Sequence, residues 1–288
     1  MKLIAAPDFD LAKTLASGQV FHWEPEGAGF IGAIDERAVY VEQRGDALRI
    51  AEGRMPSAAR RMRALPRIVA RYFALDHPLA EICASFPLDD TMSVANKFCR
   101  GLRILRQPRW ECLATFICSS MKQVAHIRQI SLKLRERFGE RREIAGRVVH
   151  TFPGSSRLAQ ASEAELRGCG LGYRAKNLRA SAALVASGAA DLEAFVSLPD
   201  HELQARLCEL PGVGAKVANC AMLFAYERIS AFPIDVWIER VLRTHYFPRR
   251  RKVSAKELAT FAATYFGAHG GYAQQYLFHH ARLSRRRP

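Results

Sequence analysis

The sequence predicts a mainly helical α+β protein, with an N-terminal antiparallel β region followed by a helical body. Three observations carry this. Phe30 to Ile34, Val39 to Glu42 and Ala47 to Ile50 are short runs rich in β-branched or aromatic residues, parted by the turn-forming Asp35-Glu36-Arg37 and Arg44-Gly45-Asp46. From about Pro56 onwards, apolar residues recur at helical spacing instead. Near residue 210, two such helical patterns meet at the tight turn Leu210-Pro211-Gly212-Val213-Gly214.

Residues 1 to about 55 therefore read as antiparallel β. Ahead of the first clear run lies Ser17-Gly18-Gln19-Val20-Phe21-His22-Trp23. A glycine between polar residues and beside aromatics fits a strand brought close to a ligand, and equally a β-bulge. Helix takes over from Pro56 to Phe86, with Arg60, Arg61, Arg63, Arg67 and Arg71 on faces that are solvated by default. Tyr72 to Leu79 ends one helix and starts another. Residues 1–100 are expected to form one domain, the sheet with its first helices, and residues 101–288 the helical body.

Trp110 to Ser120 is apolar nearly all round and reads as a buried helix whose polar end, Ser119 to Gln123, leaves the core. The next helix puts Val124, Ile127, Ile130, Leu134 and Phe138 on one face and Arg128, Lys133, Arg135 and Arg137 on the other. Gly168-Cys169-Gly170-Leu171-Gly172-Tyr173-Arg174-Ala175-Lys176 follows. An exposed aromatic with basic neighbours fits a wedge inserted into DNA, and the same residues fit a helix C-cap followed by an ordinary helix.

The turn at 210–214 joins helices spanning about His201 to Glu209 and Gly214 to Tyr226, a helix-hairpin-helix. The N–H groups that open the second helix lack intrahelical partners and favour a phosphate. Gly212, Val213 and Gly214 are thus candidates to clamp a DNA backbone, although a plain helix–helix turn has the same pattern. Lys216 stands in the first turn, where a cation opposes the helix dipole, so it calls for a reason. Asp235 follows 19 residues later, ahead of an apolar helix, a place where aspartate is most often an N-cap. Val236 to His245 and Ala255 to Phe266 read as helices around a basic linker, Arg249 to Lys252. Gly270-Gly271-Tyr272 is expected to break the chain before a last helix, Ala273 to Leu283, on which Gln274 and Phe278 share a face.

Composition narrows the partner. Of 288 residues, 43 are Lys or Arg and 28 Asp or Glu, a formal charge of +15, which favours a polyanion and most simply nucleic acid. No apolar run approaches the roughly 18 residues needed to span a bilayer, so no membrane partner is expected. The seven cysteines include no C-x-x-C pair, so neither a zinc site nor a disulfide framework is indicated. No signal peptide or organelle signal is read. The Ala- and Arg-rich composition points to a bacterial cytoplasm, with the nucleus the place if the source is eukaryotic.

In order along the chain, SGQVFHW, YFALDHPL, GLRILRQPRWECLATFICSS, GLGYRAKNL, LPGVGAKVANC, PIDVW and YAQQYLF resemble the eukaryotic-type 8-oxoguanine DNA glycosylase/lyases of the helix-hairpin-helix-GPD superfamily. The resemblance spans most of the chain. It implies a TATA-binding-protein-like antiparallel β domain packed on a helix-hairpin-helix body, with the C-terminal helix returning to a lesion pocket. It also implies a monomer acting on double-stranded DNA that contains oxidised guanine, with no metal and no organic cofactor. Lys216 would be the nucleophile and Asp235 its acidic partner. Gly18 would offer its carbonyl to the N7–H that 8-oxoguanine has and guanine lacks. Phe278 and Cys220 would sandwich the flipped base, and Gln274 would read its Watson–Crick edge. Tyr173 would be the wedge and Arg174 a reader of the orphaned base.

Three positions depart from the family pattern: Met121 stands where asparagine is frequent, His126 where an arginine contacts the orphan cytosine, and Trp237 where a histidine lies near the lesion phosphate. The departures concern the opposite strand and backbone, and leave the catalytic pair and base pocket whole. Two other readings stand beside this one: a related glycosylase/lyase for another oxidised base, and a non-catalytic binder of DNA structure.

Overall fold

The computed structural model describes residues 1–53, 65–119 and 122–284. Pro56, Arg60, Arg61, Arg63, Ser120, Met121 and the Arg285 to Pro288 tail lie outside the described residues.

Five strands form one antiparallel sheet: β1 (Lys2–Ala5), β2 (Glu24–Glu26), β3 (Gly29–Ile34), β4 (Arg37–Arg44) and β5 (Ala47–Glu52), in the order β1-β5-β4-β3-β2. The three expected strands are its centre. Asp35, at φ 52°, and Gly45, at φ 55°, make the hairpin turns between them. The period-2 pattern decides which side chains face which core. Phe30, Val41 and Ile50 lie opposite one another, and Val41 and Ile50 pack with Leu65, Val69, Tyr72 and Phe73. On the other face, Ile31 and Tyr40 meet Ile144 and Val149 of a small hairpin, β6 (Arg141–Ile144) and β7 (Arg147–His150).

The sequence reading missed one early element. Asp10 accepts from the Lys13 N–H and caps a helix, α1 (Leu11–Ala16), whose C-cap is Ser17. The Ser17-Gly18-Gln19 segment is therefore neither strand nor bulge. Gly18 is the residue after a helix C-cap, at φ 84°, a conformation that glycine adopts without steric cost.

The remaining helices are α2 (Leu65–Tyr72), α3 (Leu79–Ala84), α4 (Asp90–Phe98), α5 (Arg109–Ser119), α6 (Val124–Phe138), α7 (Ser155–Gln160), α8 (Glu163–Gly168), α9 (Arg174–Ala186), α10 (Asp200–Cys208), α11 (Ala215–Ala225), α12 (Val236–Val241), α13 (Ala255–Phe266) and α14 (Gly270–Ser284). A π-helical turn, Leu242–Tyr246, continues α12. Helices α5, α11 and α14 are almost wholly buried and form the centre of the larger core.

The last helix differs from expectation. Gly270 and Gly271 begin it instead of interrupting the chain. A Cβ on Gly271 would lie 2.3 Å from Leu223 Cδ1 and within 2.9 Å of the carbonyl oxygens of Ala231 and Ile229. Here glycine allows close helix packing, and the second glycine of the pair is placed against α11.

Candidate active site

The hairpin turn is built from buried anchors and one strained position. Leu210 and Val213 are buried, and the Val213 N–H donates to the Leu210 carbonyl at 3.0 Å. Gly212 has φ 84°, and a Cβ there would come 2.9 Å from Asn177 Cβ. Ser181 Oγ donates to the Pro211 carbonyl at 2.8 Å and fixes the turn to α9. Gly212 and Gly214 remain exposed, with Gly214 as the extended N-cap of α11. The first N–H groups of α11 thus open onto the surface beside the turn.

Lys216 is the second residue of α11. Its Nζ donates to Ser119 Oγ at 3.2 Å and lies 5.1 Å from the centre of the Phe116 ring, both on α5. Cys220 lies one turn along α11. Burial pushes its thiol up to about 11, against the pull of the nearby Lys216 amine. Cys220 is therefore a neutral thiol near pH 7.

Asp235 is the N-cap of α12. Its Oδ1 accepts from the backbone N–H groups of Trp237 at 3.0 Å and Ile238 at 2.9 Å. Burial raises its carboxyl above the ordinary aspartate range, while the Ile238 N–H and the nearby Lys216 charge pull the other way. Capping and electrostatic coupling to Lys216 coexist in this one residue. Capping occupies one carboxylate oxygen only.

Gln274 and Phe278 lie one turn apart on α14, both buried. Gln274 Nε2 donates to the Pro233 carbonyl at 2.9 Å, two residues before Asp235. Because a carbonyl requires a donor, this bond settles which end of the amide is oxygen. Gln274 Oε1 is buried and, among the described residues, accepts no hydrogen bond, an uncompensated cost unless a ligand supplies the donor. Gly18 abuts Phe278: a Cβ on Gly18 would lie 3.0 Å from Phe278 Cε1. Gly18, from the other end of the chain, is thus brought against the helix that carries Gln274 and Phe278.

The residues expected to meet the opposite strand behave differently. Tyr173, between Gly172 at φ 58° and the start of α9, is 65% exposed. Arg174 is only 5% exposed; its guanidinium lies 4.3 Å from the Tyr173 ring centre, and Nη1 donates to the Leu171 carbonyl. His126 is exposed on the first turn of α6. Trp237 is half-buried, with the Arg240 guanidinium 5.9 Å from its ring. Met121 lies outside the described residues.

Sequence reasoning passed over the polar side chains that hold these groups. Ser119 was seen only as the polar end of a helix. Gln19 Nε2 donates to the Ser17 hydroxyl and the Arg103 carbonyl, its Oε1 accepts from the Leu105 N–H, and Gln107 Nε2 donates to the Gln19 carbonyl. Gln275 Nε2 donates to the Ser17 carbonyl at 2.9 Å. No spacing rule reveals such long-range bonds; a run of buried-helix residues containing glutamine is the only signal.

Comparison with known proteins agrees with this arrangement. Residues 2–113 match the 8-oxoguanine DNA glycosylase N-terminal domain, and residues 114–263 match the HhH-GPD superfamily of base excision DNA repair proteins. The N-glycosylase/DNA lyase OGG1 of Arabidopsis thaliana is 32% identical over 94% of this chain and 77% of its own. The structure of MBOgg1 in complex with a low-affinity DNA ligand superposes with a TM-score of 0.91 at 32% identity, covering 99% of this chain and 96% of that one. An 8-oxoguanine glycosylase/lyase of Clostridium acetobutylicum, in complex with DNA carrying cytosine opposite 8-oxoG, superposes with a TM-score of 0.89 at 29% identity, covering 99% of each chain. No helix among the described residues is long and apolar enough to cross a membrane. With both family domains matched end to end and relatives at this identity covering nearly its whole length, the chain belongs to the 8-oxoguanine DNA glycosylase/lyase family of the helix-hairpin-helix-GPD superfamily.

Proposed function

We propose that this chain excises 8-oxoguanine from duplex DNA and then cleaves the strand at the abasic site, with Lys216 as nucleophile. The observation that carries the reading is the setting of Lys216: an amine at a helix N-terminus, half-buried among Ser119, Cys220 and Phe116, and electrostatically coupled to Asp235. Phosphate binding alone requires neither the burial nor the aspartate.

A base inside duplex cannot be reached, so it is flipped out at a cost of a few kcal/mol. Phe278 supplies a face for the flipped base and the neutral Cys220 thiol the other. Gln274 Oε1, an acceptor without a donor, suits the N–H groups on the Watson–Crick edge of a guanine. Gly18 suits the N7–H. The Lys216 lone pair then forms a bond to the sugar C1′ as the C1′–N9 bond breaks and the base departs. Asp235 acts where positive charge develops on the sugar. Of the two amine protons, one goes to the departing base and the other to O4′ as the sugar ring opens, leaving a Schiff base between Nζ and C1′. That imine acidifies the C2′ proton, whose removal expels the 3′ phosphate and nicks the strand. Tyr173 fills the vacated stack, and Gly212, Val213, Gly214 and Trp237 hold the damaged strand's backbone.

The test is covalent trapping. Borohydride should reduce the imine and fix the protein to 8-oxoguanine duplex, and Lys216→Gln should abolish the adduct. An undiminished adduct with Lys216→Gln would remove the central claim.

A further inference from the structure

We propose that Gln275 is a positioning residue for lesion recognition: its amide aims the backbone so that the carbonyl of Gly18 faces the base. The proposal rests on the reading of Gly18 given above and adds the residue that makes that reading work.

Gln275, Phe278 and Arg282 lie at i, i+3 and i+7 on α14 and form one stripe along the helix. The segment 16–18 runs against that stripe residue by residue. Arg282 donates to the Ala16 carbonyl. Gln275 Nε2 donates to the Ser17 carbonyl at 2.9 Å. Gly18 follows at the Phe278 ring. Downstream, the Gln19 carbonyl is taken by Gln107 Nε2 at 2.7 Å. The carbonyls of residues 16, 17 and 19 are thus each held by a side chain of the body.

The Ser17 carbonyl and the Gly18 N–H belong to one rigid peptide plane, so fixing that oxygen fixes the plane from which Gly18 departs. Glycine has the widest range of φ and ψ, and nothing in its own side chain limits where its carbonyl turns. Holding the planes on both sides supplies that limit. Gln275 is 2% exposed, so its amide is dry and the bond to Ser17 is not exchanged for water. Gln275 belongs to the same helix as Gln274 and Phe278. One helix therefore both lines the base pocket and orients the loop facing it.

The experiment compares two reactions of the full chain. Excision of 8-oxoguanine opposite cytosine needs the base to be recognised, whereas β-elimination at a preformed abasic site in the same duplex has no base to recognise. Gln275→Met keeps the length and the apolar packing but has no donor. It should lower the single-turnover excision rate about tenfold, the scale of one oriented hydrogen bond, while abasic-site cleavage stays at the parent value and the melting temperature falls only by the few degrees that one unpaired buried carbonyl costs. Gln275→Leu is the second variant and should behave alike. Gly18→Ala, measured in parallel, tests the underlying reading, since its Cβ enters the space of Phe278. If Gly18→Ala excises normally, the reading of Gly18 fails. If Gly18→Ala is impaired but both Gln275 variants excise normally, only the role of Gln275 fails. If the Gln275 variants lose excision, abasic cleavage and melting temperature together, Gln275 is a packing residue and the proposal is overturned.

Discussion

Lys216 Nζ is held by Ser119 Oγ at 3.2 Å, and Ser119 in turn donates its own proton to the Phe116 carbonyl at 2.7 Å. The serine hydroxyl is thereby committed as a donor elsewhere and can only accept from the lysine. It orients the amine through an N–H, and in the proposed mechanism this leaves the nitrogen lone pair for C1′. Ser119→Ala should slow formation of the borohydride-trapped adduct several-fold, the effect of about 1 kcal/mol. Lesion binding should be unchanged, and Ser119→Thr should restore the rate. A variant that loses binding and rate equally would make Ser119 a part of the helix end only.

Asp235 combines a structural and a chemical task, and two substitutions separate them. Asparagine is a good N-cap, so Asp235→Asn should keep the fold while slowing base release far more than it weakens binding. Asp235→Ala should in addition cost about 1 kcal/mol of stability through the lost cap.

The pH dependence follows from burial. A carboxyl raised in the folded protein favours its protonated form, so its stabilising contribution is present at low pH and is lost as pH rises through the raised value. In the proposed mechanism the carboxylate is the active form, so the activity should behave oppositely. The acid limb of the excision rate should lie above the 3.8 of an ordinary aspartate and should disappear in Asp235→Asn. A pH–rate profile of both proteins measures this.

For the base pocket, Phe278→Ala should weaken lesion binding by about 1–3 kcal/mol through lost stacking. Gln274→Met removes the buried, unpaired acceptor together with the donor to the Pro233 carbonyl, and should reduce discrimination among purine lesions; relief of one unsatisfied group offsets loss of the other, so the melting temperature should change little. Binding titrations against a lesion panel, with melting curves, check both. If the two variants bind and cut like the parent, this stretch of α14 is core and not pocket.

At the opposite strand, the imidazole of His126 has no side-by-side pair of N–H donors and cannot reproduce an arginine's fork to cytosine. Arg174 lies under the Tyr173 ring and is nearly buried, so its reach depends on Tyr173 moving aside. The expected result is a modest preference for 8-oxoguanine opposite cytosine over the same lesion opposite thymine, guanine or adenine. His126→Arg should sharpen that preference, a good bidentate contact giving about 1–3 kcal/mol. Single-turnover rates on the four duplexes decide the matter; a strong cytosine preference in the parent would assign the reading to another residue.

How far the sequence reaches can be read from particular elements. Helix α6 occurs where its apolar periodicity places it, and helix α5 where its nearly all-round apolar run does. The central strands β3, β4 and β5 follow from their alternation. Helix α1 escaped notice because six residues give too little periodicity, although its Asp10 cap was in view. Gly18 and Gly271 were misread for a common reason: a glycine records that space is short, and the neighbour that shortens it is far away in the chain. The same holds for the site. Lys216 and Asp235 sit beside local landmarks, a hairpin turn and a helix start. Ser119, Gln107 and Gln275 act through bonds to residues many positions away, and no local pattern marks them.

The contact at Gly271 has a wider consequence. Helix α11 carries Lys216 and Cys220, helix α14 carries Gln274 and Phe278, and the two touch where Gly271 meets Leu223. The spacing of the helices that carry the proposed nucleophile and the proposed base-reading amide is therefore gauged by a missing methyl group. A larger residue there would push the two helices apart. On the proposed reading of the pocket, lesion range is then bounded by backbone spacing as much as by pocket chemistry. Substitutions lining the pocket can change what is read within it, but its width is set at a point where nothing of the lesion is touched.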